Sequence, residues 1–181
     1  CDTRNSTTMG TVLDEGVEII NDVSGLNYDK NTLDVIKEYN CYYVLMHSIK
    51  TPINMQESPK YENAIVDLYS FFFKKINLIR EKNLNSSKII IDPGIGFGKN
   101  DIHNFQILKY FSIFLDLGLP ILIGLSRKSF IGRFIKNEHA DRLPSSLALA
   151  VDVFLKGASF IRVHDVKGTK NAIDIFKKAN C

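Results

Sequence analysis

A chain of 181 residues that is 45% hydrophobic and 24% charged has ordinary globular composition and enough length for one domain with a sizeable core. Its net charge of +3 is mild and its lysines are scattered, which argues against a nucleic-acid face and leaves a small acidic substrate admissible. No stretch reads as a membrane span or a signal peptide, and Cys1, Cys41 and Cys181 have neither metal nor disulfide spacing, which suits a reducing cytoplasm.

The chain opens on Cys1-Asp2-Thr3 without an initiator Met. Asp2 and Thr3 read as the last residues of an element already under way, so a fragment lacking earlier strands is expected. Next comes "GVEIINDVSG" (Gly16 to Gly25), the first of five short runs rich in Ile, Val and Leu. The others are "YYVLMHS" (Tyr42 to Ser48), "KIIIDPG" (Lys88 to Gly94), "PILIGLS" (Pro120 to Ser126) and "SFIRVHD" (Ser159 to Asp165). Parallel strands buried on both faces read this way.

Helical patterns separate the runs. "NTLDVIKEYN" spaces Leu33 and Ile36 for one face, and the stretch 62–83 sets Ile65, Leu68, Phe72, Ile76 and Ile79 on one stripe. The Phe71-Phe72-Phe73 run suits core packing better than an aromatic site. "NFQILKYFSIFLDLG" is expected to stop at Gly118, and "PSSLALAVDVFLKG" to start near Ser145 or Ser146 and stop at Gly157. "KNAIDIFKKA" closes the chain. This strict alternation predicts one α/β domain over 1–181 with a parallel sheet.

Two architectures fit. One is an open doubly wound sheet. The other is a (β/α)8 barrel, which needs eight strands and typically about 250 residues, so this chain would supply its later part. Every run ends in polar residues: Asn21-Asp22, His47-Ser48, Asp92, Ser126 to Ser129, and Arg162 with His164-Asp165. Polar groups at every carboxyl end suit a ring around a shared mouth and favour the barrel. Each has a plainer reading: Asp22 and Asp92 as turn residues, His47 as a core histidine, Lys99 as a solvated or locally paired charge. Arg162 and His164 alternate along a strand and so point to one side together.

"IIIDPGIGFGKN" (Ile89 to Asn100) fails two phosphate-loop tests. Gly94 to Gly98 is one residue short of a Walker A loop, with Asn100 where Ser or Thr is required. Lys99 also occupies the place of the last glycine in the dinucleotide fingerprint. No helix clearly begins at these glycines; they suit close approach to a flat ligand or another strand. "GLSRKSFIG" lacks the second glycine of a nucleophile elbow, and Lys128 reads as a donor to an electronegative ring atom. His103 and His139 have no partners at zinc-ligand spacing.

The stretches "EIINDVSG", "YVLMHS", "IIIDPGIGFGKN", "LIGLSRKSFIG", "DRLPSSLALAV" and "FIRVHDV", in this order, resemble dihydropteroate synthases over essentially the whole chain. The resemblance implies a (β/α)8 barrel running here from the end of its third strand through its eighth helix. It implies condensation of 4-aminobenzoate with 6-hydroxymethyl-7,8-dihydropterin diphosphate, a transferase step of folate synthesis and a sulfonamide target. By the same resemblance Asp2, Asn21 and Asp92 read the pterin edge, Val23, Met46 and Gly124 wall its pocket, and Lys128 donates to the far side of the ring. Arg162 stacks on the ring and, with His164 and Mg2+, neutralises the leaving diphosphate; Phe97, Ser129 and the Lys128 stem face the aminobenzoate. The metal's protein ligand is expected upstream of this chain, as is a homodimer at full length, with no nucleic-acid or membrane partner. A pterin-dependent methyltransferase domain and a non-catalytic pterin-binding module are the alternatives. The chain alone is expected to be inactive and poorly soluble, because unpaired strand edges would be left open.

Overall fold

A computed structural model describes residues 1–48, 61–136 and 141–180. All five apolar runs form strands: β1 (Ile19–Asp22), β2 (Tyr42–Met46), β3 (Ile89–Asp92), β4 (Leu122–Gly124) and β5 (Phe160–Arg162). They pair in parallel, β1 with β2 and β2 with β3 in one sheet, and β4 with β5 in another. Two parallel bridges extend the order. Asp2 bridges to Asn21, and Ile91 bridges to Ile121 with its N–H bonded to Pro120 O at 2.9 Å. Neighbours in space are therefore neighbours in sequence from residue 2 to residue 162. A doubly wound sheet calls for a reversal of strand order, and the described strands show none.

Helices α1 (Ser6–Asp14), α2 (Thr32–Tyr39), α3 (Ala64–Glu81), α4 (Asp101–Lys109), α5 (Ser129–Ile135), α6 (Leu143–Leu155) and α7 (Val166–Asn180) fall between and after the strands. The α3 stripe is buried as its spacing requires, with Leu68, Phe72 and Ile79 fully enclosed. Asn63 caps its start by accepting from Ile65 N and Val66 N. Phe72 meets Phe114 edge-on, and cutting such a ring back to Ala costs about 3–5 kcal/mol. Phe71 and Phe72 pack inward, whereas Phe73 is exposed.

Two helical expectations are corrected, and two helices were not expected. The stretch ending at Gly118 splits into α4 and a 3-10 segment, Phe111–Leu117, because Phe111, Phe114 and Leu117 are buried at a spacing of three, the 3-10 period. α6 starts at Leu143, with Pro144 in its first turn; Ser146 lies inside it, donating to Arg142 O at 2.6 Å and accepting from Arg127 N at 2.9 Å. α1 and α5 carry no clear sequence period, α1 holding Thr7 and Thr8 and α5 only seven residues. None of the described helices is long and apolar enough to cross a membrane.

Candidate functional site

The carboxyl ends of the strands open into a cavity of about 360 Å³. β3 ends on Asp92, a residue only 7% exposed. Burial pushes its carboxyl up to about 6, against the Gly94 N–H it accepts at 2.7 Å and the charges of Lys99, Lys128 and Arg162. Asn21, from the end of β1, lines the same wall; its amide donates to Asp2 and its buried Oδ1 has no partner among the described residues. Val23, Met46 and Gly124 supply apolar surface between these polar groups. Asp22, one residue along, is fully buried and turns away. It accepts from Ser24 N, Ser24 Oγ and Tyr43 Oη, as a turn carboxylate does.

The loop after β3 is held at nearly every residue. Gly94, Gly96 and Gly98 take φ values of +68°, +79° and +62°. A Cβ at Gly94 would stand 2.2 Å from His47 O, so the close approach is to another strand's end. Gly96 N donates to Asn104 Oδ1 at 2.8 Å, Phe97 N to Gly94 O at 3.0 Å, and Tyr61 Oη to Gly98 O at 3.0 Å. A helix does begin here: Asn100 accepts from His103 N, His103 Nδ1 accepts from Asn100 N, and α4 starts at Asp101.

Of the two expectations for Lys99, a solvated or a locally paired charge, the solvated one is corrected. It is 8% exposed, and its ammonium donates to Phe97 O at 3.0 Å, His47 Nδ1 at 3.1 Å and His47 O at 3.2 Å. An ammonium cannot accept, so Nδ1 of His47 must, leaving that ring neutral with its proton on Nε2. Burial, then the Lys99 charge, lowers His47 to about 3. His47 is the enclosed histidine of the plainer reading, packed edge-on against Phe71 at 4.8 Å.

The opposite wall is cationic. Lys128, at the N-cap of α5, sets its Nζ over the Phe97 ring at 4.2 Å. Its pKa is lowered by burial, with Asp92 opposing and Arg162 adding to the shift. Arg162 and His164 both line the cavity, as their alternation requires. Arg162 pairs with Asp2 at 2.7 Å in the open, and Asn21, Val23 and Arg162 also border an adjoining space of about 410 Å³. Ser126 Oγ accepts from His164 N at 3.3 Å and lies 3.1 Å from its Nδ1, which leaves Nε2 to face the cavity. Next to it, Arg127 binds Asp165 with two bonds of 2.8 Å, so consecutive residues latch the ends of β4 and β5 together.

One cavity thus gathers Asn21, Val23, Met46, Asp92, Phe97, Gly124, Lys128, Arg162 and His164, with Asp2 at its adjoining mouth. Ser129 is exposed on the first turn of α5 and is not part of the lining. Sequence reasoning gave no role to Ser126 and misplaced Lys99. A lysine that follows three glycines alternating with apolar residues, without an acid one helical turn away, was the available signal. His139 and Cys181 lie outside the described residues. Among the described residues no group of three or more His, Cys, Asp or Glu stands where it could hold a metal.

The chain is 38% identical to the dihydropteroate synthase of Escherichia coli K12 over 160 residues, 88% of this chain and 56% of that protein. Its fold superposes on a Yersinia pestis dihydropteroate synthase in a sulfonamide drug complex with a TM-score of 0.92 and 35% identity, covering 99% of this chain and 65% of that one. A Xanthomonas albilineans dihydropteroate synthase in complex with 7,8-dihydropteroate matches with a TM-score of 0.89 at 29% identity, again covering 99% of this chain and 66% of the other. The chain therefore spans little more than half to two thirds of these relatives. The model of the pterin binding enzymes matches residues 1–164, and the chain belongs to that family.

Proposed function

We propose that this chain is the substrate-reading part of a dihydropteroate synthase, which joins 4-aminobenzoate to 6-hydroxymethyl-7,8-dihydropterin diphosphate and releases diphosphate. The observation that carries this is one cavity with a buried carboxylate and a buried amide on one wall and Lys128, Arg162 and His164 on the other. A pterin carries an amide-like edge of donors and acceptors. Asp92 accepts from that edge with charge-assisted bonds, and the unpartnered Oδ1 of Asn21 accepts beside it. Lys128 donates to the ring's far side, while Val23, Met46 and Gly124 enclose its faces. Binding of 7,8-dihydropteroate by the Xanthomonas albilineans relative supports the same occupant here.

The reaction breaks a carbon–oxygen bond to diphosphate and forms a carbon–nitrogen bond to the arylamine. The departing charge needs a cation and a hydrogen-bond donor already in place; Arg162 supplies the first and His164 Nε2 the second. Opening of the Arg162–Asp2 pair frees both partners for ligand. The neutral arylamine is already a nucleophile and needs only to be held in line, which Phe97 and the Lys128 stem accomplish; no covalent intermediate is required. Mg2+ belongs to this reading as a companion of the diphosphate. The described residues do not form a site for it.

We further read the sequential parallel strands as an arc of a (β/α)8 barrel belonging to a longer protein, homodimeric and cytoplasmic. A 56% span of the Escherichia coli enzyme supports that reading. The test is turnover by the full-length protein. Dihydropteroate formed from the two substrates, and lost in Arg162→Ala, supports the synthase; pterin binding without turnover would leave a binding module instead. Methyl transfer from a methylated pterin would favour the methyltransferase alternative.

A further inference from the structure

Lys99 lies behind the cavity wall, outside the lining, and nothing in the proposed chemistry uses it. Burying a lysine that does nothing is costly, because the charged form loses its hydration. Two features offset that cost. Three acceptors meet the three N–H groups of an ammonium, from Phe97 O, His47 Nδ1 and His47 O. These acceptors belong to two segments, the end of β2 and the loop after β3, so one ammonium ties them together. The second feature is Asp92, a buried carboxylate that lacks an ion pair among the described residues.

We propose that Lys99 is a positioning residue of the pterin site: its ammonium fastens the loop after β3 to the end of β2 and holds Asp92 in its carboxylate form. The charged groups bearing on Asp92 are Lys99 from the loop, Lys128 from the start of α5 and Arg162 from β5. Lys128 is drawn toward Phe97, and Arg162 is engaged by Asp2 in the open. Lys99 alone of the three is enclosed, where water screens its field least. Those bearing on Lys99 are Asp92 and Lys128, with neutral His47 and Tyr61 beside it and His103 at the head of α4. Asp92 and Lys99 sustain each other's charge: burial draws Lys99 down to about 7, and Asp92 opposes that fall.

The purpose of this device rests on the pterin reading, but its test does not. The Asp92 carboxyl is titrated by 13C NMR in the ligand-free, full-length protein, in the wild type and in Lys99→Met and Lys99→Gln. The Gln variant keeps a donor for the carbonyls and removes only the charge, so it serves where the Met variant does not fold. Loss of the charge should raise the Asp92 midpoint by about 1–3 pH units, the usual effect of one nearby opposite charge. Lys99→Arg should keep it near the wild-type value. A folded neutral variant with an unmoved or lower midpoint overturns the proposal. Pterin binding read in parallel should weaken near neutral pH in the neutral variants and recover as pH rises. A wild type that binds no pterin while the midpoint still moves would sink the functional reading and leave the role of Lys99 standing.

Discussion

Asp92 and Arg162 line the same cavity, yet Asp92 is 7% exposed whereas the Arg162 side chain is 59% exposed. Around Asp92, Gly94, Gly96, Phe97, Gly98 and Lys99 all make hydrogen bonds to neighbouring elements or to one another, so the wall is built before any ligand arrives. Around Arg162 the contacts are a solvent-facing pair with Asp2 and the Ser126 latch on His164, which a ligand can rearrange. Reading a flat ring edge demands acceptors fixed to a fraction of an ångström. Neutralising a departing anion demands charge that can follow it. In the proposed function the two walls divide these tasks.

The largest test of the rigid wall is Gly94→Ala. The added Cβ would meet His47 O at 2.2 Å with φ at +68°, so urea unfolding should show a loss of about 2–4 kcal/mol. An unchanged midpoint would show that the loop is not fixed. Asp92→Asn comes next. Loss of charge-assisted bonds worth about 1.5–3 kcal/mol should weaken pterin binding roughly 10–100-fold in calorimetry. On the exposed wall, Arg162→Ala should shift stability by only about 0–1 kcal/mol, since its pair is exposed, while diphosphate-dependent binding falls.

A gentler test is the pH dependence of stability. The ammonium of Lys99 titrates near 7 when folded and near 10.5 when unfolded, so the unfolded chain binds more protons between those values. Its contribution therefore rises with pH from about 7 toward 10. Lys99→Met should flatten that rise in denaturation curves. Asp92, raised to about 6 from 3.8, acts in the opposite sense, and its contribution falls as pH rises through 4 to 6. His47, lowered to about 3, adds a rise between 3 and 6.5 that partly cancels it; at alkaline pH Lys75 and Lys128, also lowered by burial, add to the Lys99 rise, so the difference between wild type and Lys99→Met isolates its share. The smallest expected effect is Ser126→Ala, which should loosen the His164 ring and lower turnover modestly with pterin affinity unchanged.

The exposed wall was the more legible in sequence. Arg162 and His164 alternate along a strand, and alternation survives any detail of packing. All five strands were legible from their Ile, Val and Leu, although only β3 is buried at every residue and β5 is exposed or half-buried throughout. What escaped depends on contacts between distant segments. The site of Lys99 is made by His47, 52 residues away, and no spacing rule reports that. Ser126 acts through His164, 38 residues on. The 3-10 segment before Gly118 escaped because its buried residues also fit a helix when read alone. Asp22 and Asp92 are both acids at strand ends, and only their partners separate the turn residue from the ligand reader.

The division of labour is tested most directly by calorimetric titration of the full-length protein with a pterin and with its diphosphate. Asp92→Asn should weaken both ligands by the same factor, and His164→Ala should weaken only the diphosphate. Equal losses for both ligands in both variants would contradict the account.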